Sequence, residues 1–111
     1  MILNYQELDK KVEKILDVLF KLGYSYEIFS NQRINIIDNN VTFAEKRNIG
    51  VIVLQKSGHV SIRIYGHNKR ITFKKLFGKN EIIFKPNQSL TDIGMIVRKL
   101  IKKYEDVNKK L

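Results

Sequence analysis

The central hairpin of this chain is encoded by residues 51–65, VIVLQKSGHVSIRIY. Val51-Ile52-Val53-Leu54 is a continuous apolar run rich in β-branched residues, which is typical of a central strand. Lys56-Ser57-Gly58-His59 predicts a turn, and residues 60–65 then alternate apolar and polar side chains. This order predicts an antiparallel hairpin in the middle of a sheet.

Four further segments have strand character on either side of this hairpin. Before it, Tyr24–Phe29 and Arg33–Ile37 alternate, with Ser30-Asn31-Gln32 as the turn between them. After it, Lys69–Lys74 and Glu81–Lys85 are separated by Gly78-Lys79-Asn80. Residues 41–50 lack either period, and we expect a loop there.

The N-terminal segment predicts an amphipathic helix. Asn4 followed by Glu7 is a capping arrangement, and Gly23 supplies the left-handed position that ends a helix. The opposite face has charges of both signs, so we expect this helix to serve packing rather than chemistry. Its apolar stripe is Leu8, Val12, Ile15, Leu16, Leu19 and Leu22.

A second helix follows Pro86, which ends the sheet region. Ser89 with Asp92 is the predicted start, with Thr91 as an alternative cap. Its apolar stripe is Leu90, Ile93, Ile96, Val97, Leu100, Ile101, Tyr104 and Val107.

Together these segments predict one α+β domain that spans residues 1–111. Of these six strand-like segments we expect about four to five to form a single antiparallel sheet, with the N-terminal and C-terminal helices packed on one face, in the order α-β-β-β-β-β-α. The chain has 111 residues, of which 43% are hydrophobic, so it can bury a core.

Composition excludes several classes of function. The chain has no cysteine, which excludes disulfides, thiolate metal sites and cysteine nucleophiles. The first residues lack the pattern of a signal peptide, and no apolar run approaches the roughly 20 residues that span a bilayer. We expect a soluble, cytoplasmic protein that has no membrane partner.

The positive charge is concentrated in the second half of the chain. Residues 1–55 contain seven basic and seven acidic residues, whereas residues 56–111 contain fourteen basic and four acidic ones. The second half therefore carries the whole net charge of +10. Clustered positive charge attracts polyanions or acidic protein surfaces, so we expect nucleic acid or an acidic protein as the partner.

Strand alternation places part of this charge on the open face of the sheet. If Ile62 and Ile64 face the helices, then Ser61, Arg63 and Tyr65 face solvent. Basic residues around a tyrosine suit a nucleic-acid backbone, although such residues also protect exposed sheets from edge pairing. The predicted binding residues on or near the sheet are Arg63, Tyr65, Lys69, Arg70, Lys74 and Lys75, and those on the second helix are Arg98 and Lys102.

Catalytic patterns are sparse. His59 and His67 both lie in or beside predicted turns, and two histidines without clustered carboxylates do not make a metal site. Glu81 and Asp38 lack the acidic neighbours of a two-metal nuclease. No nucleophile elbow, phosphate-binding glycine loop or dinucleotide motif occurs. We therefore expect no cofactor, no metal and, on balance, no enzyme.

Two families share features with this chain. The helix–strands–helix order with a basic surface resembles the double-stranded-RNA-binding domain, although here the last helix opens with Leu90-Thr91-Asp92-Ile93-Gly94 instead of basic residues. Ser57-Gly58-His59, followed by a basic hairpin and a C-terminal helix, is similar to HicA-type RNA-cleaving toxins, which have a histidine in a Gly-Ser-His turn. This second resemblance implies a general acid/base role for His59.

Three functions stay open at this point. The first is a small, non-catalytic DNA- or RNA-binding protein of low sequence specificity. The second is a protein-binding module or inhibitor, of the kind found among phage and mobile-element accessory factors, that docks on an acidic surface of a larger protein. The third is an RNA-cleaving enzyme that uses His59, assisted by Tyr65 or Lys69.

Overall fold

The predicted order of helices and strands is present in the computed structural model, which describes residues 9–30, 32–41, 48–64 and 81–110. Within these ranges, five antiparallel strands lie side by side in chain order, between an N-terminal and a C-terminal helix. The predicted α+β fold is confirmed. The elements are α1 (Lys10–Lys21), β1 (Ser25–Ile28), β2 (Arg33–Ile37), β3 (Asn48–Leu54), β4 (Val60–Ile64), β5 (Glu81–Phe84) and α2 (Leu90–Lys110).

The first helix begins later than predicted. Its N-cap is Asp9, whose Oδ1 accepts a hydrogen bond from the Lys11 amide at 2.7 Å, while Oδ2 bonds the Lys11 ammonium at 2.8 Å. Asp9 thus satisfies one free amide of the first turn, and it, rather than the predicted Asn4, is the N-cap of α1. Asn4 and Glu7 themselves lie outside the described residues.

The end of α1 is confirmed at Gly23. This glycine has a φ of +91°, and its amide donates to the carbonyl of Phe20 at 3.0 Å. The amide of Tyr24 donates to the carbonyl of Leu19 at 2.9 Å. These two bonds form a Schellman motif. The motif needs one residue in the left-handed backbone conformation, which glycine adopts without strain.

The turn between β3 and β4 is also confirmed. Gly58 has a φ of +87°, and its amide donates to the Gln55 carbonyl at 3.0 Å. The Gln55 amide donates to the His59 carbonyl at 2.9 Å, and Leu54 pairs with Val60 where the ladder begins. A three-residue loop that ends in a left-handed glycine is a common hairpin connection.

Strand β3 is longer than predicted. Residues 48–50 belong to it, although the sequence predicts a loop over residues 41–50. Ile49 is fully buried, and a Cβ on Gly50 would collide with the carbonyl oxygen of Arg63 on β4. Gly50 therefore permits close strand contact here instead of ending the strand.

Strand β5 pairs directly with β4. Their register runs from Val60 with Phe84 to Arg63 with Glu81. The strand predicted over Lys69–Lys74 lies outside the described residues. In the described part of the sheet, β4 therefore has β3 on one side and β5 (Glu81–Phe84) on the other.

Both helices pack on one face of the sheet, as predicted. Most of the described residues of their apolar stripes form one buried cluster with the inward residues of the strands. Leu22 and Leu90, which the sequence assigns to the stripes, are instead 40% and 42% exposed, because each lies at a helix end. Lys14 of α1 lies over Gly94 near the start of α2, and Tyr24 contacts Tyr104 further along α2, so the two helices run parallel. The largest fully buried side chains are Tyr104, Phe84, Ile15, Leu19, Ile36, Ile49, Ile52, Ile62, Ile64, Ile93 and Ile101.

Among the described residues, neither helix has the length and apolar character needed to cross a membrane.

Candidate nucleic-acid interface

Arg63 lies on the sheet face opposite the helices, as alternation predicts. It pairs in register with Glu81 on β5, and its Nη2 bonds Glu81 Oε2 at 3.2 Å. The Arg63 side chain is 50% exposed and that of Glu81 is 36% exposed. The charge of Arg63 is thus already matched by a carboxylate, which reduces its field at a distance.

The predicted exposure of Ser61 on this face is wrong. Ser61 is only 4% exposed, and Val51 on the same face is 6% exposed. The register places the short Ser61 side chain between Val53 of β3 and Ile83 of β5, whose longer side chains flank it. Alternation predicts the side of the sheet correctly, but not the accessibility of a short residue between larger neighbours.

The strands carry no net charge on this outer face within the described residues. The negative charges of Glu27 and Glu81 balance the positive charges of Arg33 and Arg63. The strand register places all four residues on the face away from the helices. The predicted binding residues Tyr65, Lys69, Arg70, Lys74 and Lys75 lie outside the described residues, and their role stays a prediction.

The second predicted location, on α2, has a larger group of cations. Arg98 and Lys102 are exposed one turn apart, and Lys99 and Lys103 are exposed beside them. No salt bridge joins any of these four to a carboxylate of the described residues. We call Arg98, Lys99, Lys102 and Lys103 the basic face of α2. Like charges at i, i+4 destabilise a helix slightly, so helix stability does not favour this arrangement.

The helix dipole does not account for the basic face of α2. The helix continues to Lys110, so Lys103 lies about two turns before its end. The attraction of cations to a helix C-terminus falls off within the last turn. It therefore does not explain the cations at 98–103.

The underside of this part of α2 is firmly anchored. Val97, Leu100 and Ile101 are buried in the core. Tyr104 is also buried, and its hydroxyl donates to Asp38 Oδ2 at 2.6 Å. These contacts fix the rotation of the helix about its axis, so the basic face points steadily to solvent.

A second tyrosine strengthens the anchor. Tyr24 packs edge-on against Tyr104, with ring centroids 6.2 Å apart, and its hydroxyl donates to Glu105 Oε2 at 3.1 Å. Burial, together with the nearby Glu105 carboxylate, raises the pKa of Tyr24 well above its usual value. The hydroxyl therefore stays protonated and remains a donor at neutral pH.

The predicted residues do not form one surface. Arg63 projects from the outer face of the sheet, whereas Arg98 and Lys102 lie on the helical layer that packs on the other face. The structure therefore groups Arg98 and Lys102 with Lys99 and Lys103, and places Arg63 apart from them. The four helical cations share the i, i+1, i+4, i+5 spacing, which is a sequence signal that identifies the complete face.

His59 has a specific partner in the hairpin turn. Its Nδ1 lies 2.8 Å from Ser57 Oγ. In the described part of the chain, no hydrogen bond links this pair to a carboxylate, and no group of three histidine or acidic residues could hold a metal ion. His67 lies outside the described residues. The RNA-cleaving role of His59 stays a prediction.

A shallow cleft lies beside α1. It has a volume of about 260 Å³ and is lined by Lys10, Glu13, Lys14, Asp17 and Leu90. Two acids and two lysines line it, so the lining itself has no net charge, and Lys14 also extends from this cleft to Gly94 of α2.

Comparisons with protein families, with curated proteins and with solved structures find no match to this chain.

Proposed function

We propose that this protein binds nucleic acid without catalysis, through contacts between the basic face of α2 and the phosphate backbone. The observation that carries the proposal is the cluster of four exposed cations without carboxylate partners among the described residues. Phosphate contacts by lysine and arginine release counterions, and they depend little on base sequence. Low sequence specificity is therefore expected.

The composition of this face favours a polyanion over a protein. Three of its four members are lysines, and lysine is depleted in protein–protein interfaces, whose binding energy comes mainly from tryptophan, tyrosine and arginine. Lysine acts on phosphate as a point charge and needs no exact fit. A face of this kind suits a flexible or irregular nucleic-acid backbone.

The sequence adds charge of the same sign elsewhere. Residues 65–80 contain five basic residues and no acidic residue. Lys69, Arg70, Lys74 and Lys75 belong to this group, and Tyr65 could stack on a base. Their charge would strengthen attraction to the same class of partner wherever they lie.

A salt series with fluorescence anisotropy tests the proposal on both single-stranded and duplex oligonucleotides. Four phosphate contacts predict a slope of log K against log salt of about −2.8 for single strands and −3.6 for duplex. Oligonucleotides of shuffled sequence should bind with similar affinity. Absence of binding at about 50 mM salt, where electrostatic contacts are strong, would contradict the proposal.

The second candidate function is a protein-binding module, and exposed apolar residues favour it. Phe20 is 75% exposed, Phe29 is 69% exposed and Met95, one turn before the basic face, is 50% exposed. Large exposed apolar side chains often mark contacts with proteins. A partner recovered from native lysate that survives nuclease treatment would support this function, whereas loss of every partner on digestion would contradict it.

A further inference from the structure

Gly94 is a buried residue within α2 whose missing side chain makes room for two cations. Glycine is the least favourable residue after proline inside a helix, so helix stability gives no reason for it here. An ideal Cβ on Gly94 would lie 3.0 Å from Lys14 Cε, 3.7 Å from Lys14 Nζ and 3.2 Å from an Nη of Arg98. Lys14 of α1 and Arg98 of α2 therefore converge on the same point, in the groove between the helices.

These two positive charges lie close enough to repel each other. Both nitrogens are within 3.7 Å of one point, so their separation is below the Debye length of about 8 Å at physiological salt. Neither forms a salt bridge with a carboxylate of the described residues. Glu13 and Asp17 line the cleft beside Lys14, and Asp17 is bonded to Lys21 at 3.1 Å. Packing of the lysine stem alone would let its ammonium turn away to solvent.

We propose that Lys14 and Arg98 hold one phosphate group of the bound nucleic acid above Gly94, in the groove between α1 and α2. This inference rests on the proposed function and extends the basic face of α2 across to α1. A guanidinium can donate two parallel hydrogen bonds to a phosphate, and the ammonium adds a third from the other side. A bound phosphate would also relieve the repulsion between the two cations.

The sequence alone does not predict this pair. Lys14 lies on a helix whose exposed face carries both signs of charge, which is typical of a solvated surface. Only the parallel packing of the two helices brings Lys14 to Gly94 and Arg98.

Charge removal tests the pair in the full-length protein. We expect Lys14→Gln to weaken oligonucleotide binding about tenfold at 50 mM salt. The salt dependence should flatten by less than one unit, because Arg98 still contacts the shared phosphate. Lys10→Gln is the matched control, because it removes the same charge one turn away on α1. Equal losses from both variants would overturn the inference, since only net charge would then matter.

The double variant tests whether Lys14 and Arg98 bind one shared phosphate or two different ones. If Lys14 and Arg98 hold the same phosphate, Lys14→Gln combined with Arg98→Gln should lose clearly less affinity than the product of the two single losses. Losses that multiply would overturn the shared site.

Gly94→Ala tests the geometry without any change of charge. The new methyl group would displace Lys14 and Arg98, whose flexible ends can move, and the helix should become no less stable by thermal unfolding. We expect weaker oligonucleotide binding, by up to the tenfold of one lost contact. Unchanged affinity would overturn the inference.

A small-anion probe distinguishes this inference from the proposed function. Inorganic pyrophosphate, added to ¹⁵N-labelled protein, should shift the amide resonance of Gly94 to saturation and leave those of Gly23 and Gly58 in place. The shift should be lost in Lys14→Gln. An unmoved Gly94 resonance would overturn the site even if oligonucleotides bind, whereas a saturable shift without oligonucleotide binding would support the site and contradict the proposed function.

Discussion

The outer face of the sheet and the basic face of α2 both carry arginine from the basic half of the chain, but their charges differ. On the sheet, Arg63 bonds Glu81 at 3.2 Å, and the described strand residues on that face sum to zero charge. On α2, four cations lie together without a carboxylate partner among the described residues. Because nearby carboxylates cancel the field of a basic residue, we expect an anion to be attracted to α2 rather than to the sheet.

The largest effect is expected when the four positive charges of the basic face of α2 are removed. Replacement of Arg98, Lys99, Lys102 and Lys103 by Gln should weaken nucleic-acid binding at about 50 mM salt by at least a thousandfold, because four phosphate contacts are lost together. Anisotropy titrations measure the loss, and circular dichroism confirms the fold. The comparison variant on the sheet is Arg33→Gln with Arg63→Gln, which removes two charges and is matched by Arg98→Gln with Lys102→Gln on α2. A comparable loss in the sheet variant would show that the sheet face binds as well.

The next largest effect concerns the anchor beneath the basic face. Tyr104→Phe removes the hydroxyl that donates to Asp38 at 2.6 Å and leaves a buried carboxylate short of one partner. We expect the free energy of unfolding to fall by about 1–3 kcal/mol, measured by urea denaturation. The salt dependence of nucleic-acid binding should stay unchanged, because no cation is removed. A stability equal to that of the unmodified protein would mean that the bond contributes nothing.

The second tyrosine of the anchor predicts a dependence on alkaline pH. The pKa of Tyr24 is raised in the folded protein, so the unfolded chain, with a tyrosine pKa of about 10, loses this proton first. The stability that the raised pKa represents is complete below about pH 10 and is lost as the pH rises further. Urea denaturation from pH 8 to 11 should show a steeper fall for the unmodified protein than for Tyr24→Phe. Parallel curves would contradict this assignment.

The smallest effect is expected at Arg63. Because this side chain is half exposed and paired with Glu81, Arg63→Gln should change nucleic-acid affinity by less than about threefold and stability by less than about 1 kcal/mol. A double-mutant cycle with Glu81→Gln measures the coupling between the two residues. A tenfold loss of affinity from Arg63→Gln alone would show that the sheet face is part of the binding site.

Much of the fold is predictable from short-range patterns. Gly23 and Gly58 occupy left-handed positions where the sequence predicts a helix end and a turn. Ser89 caps α2, since its Oγ accepts the Asp92 amide at 3.4 Å. These features depend on residues a few positions apart, so local stereochemistry is sufficient to predict them. The cap of α1 is the exception, because Asn4 and Asp9 both have side chains suited to capping, and the structure places the N-cap at Asp9.

The candidate site was predictable only in part. The sequence identifies Arg98 and Lys102 as candidates, and helical spacing accounts for their grouping with Lys99 and Lys103. It does not predict that Arg63 is neutralised by Glu81, or that the two groups lie on opposite layers. Register between strands and packing between layers decide both points.

The sequence by itself determined the two helices, the alternating strands, the hairpin turn and the excess of positive charge, because each follows from the identity of neighbouring residues. Tertiary structure alone decided which charges meet. It paired Arg63 with Glu81 across two strands and brought Lys14, near one end of the chain, over Gly94 and Arg98, near the other. Coulomb interactions depend on distance in space, and folding sets that distance independently of separation along the chain.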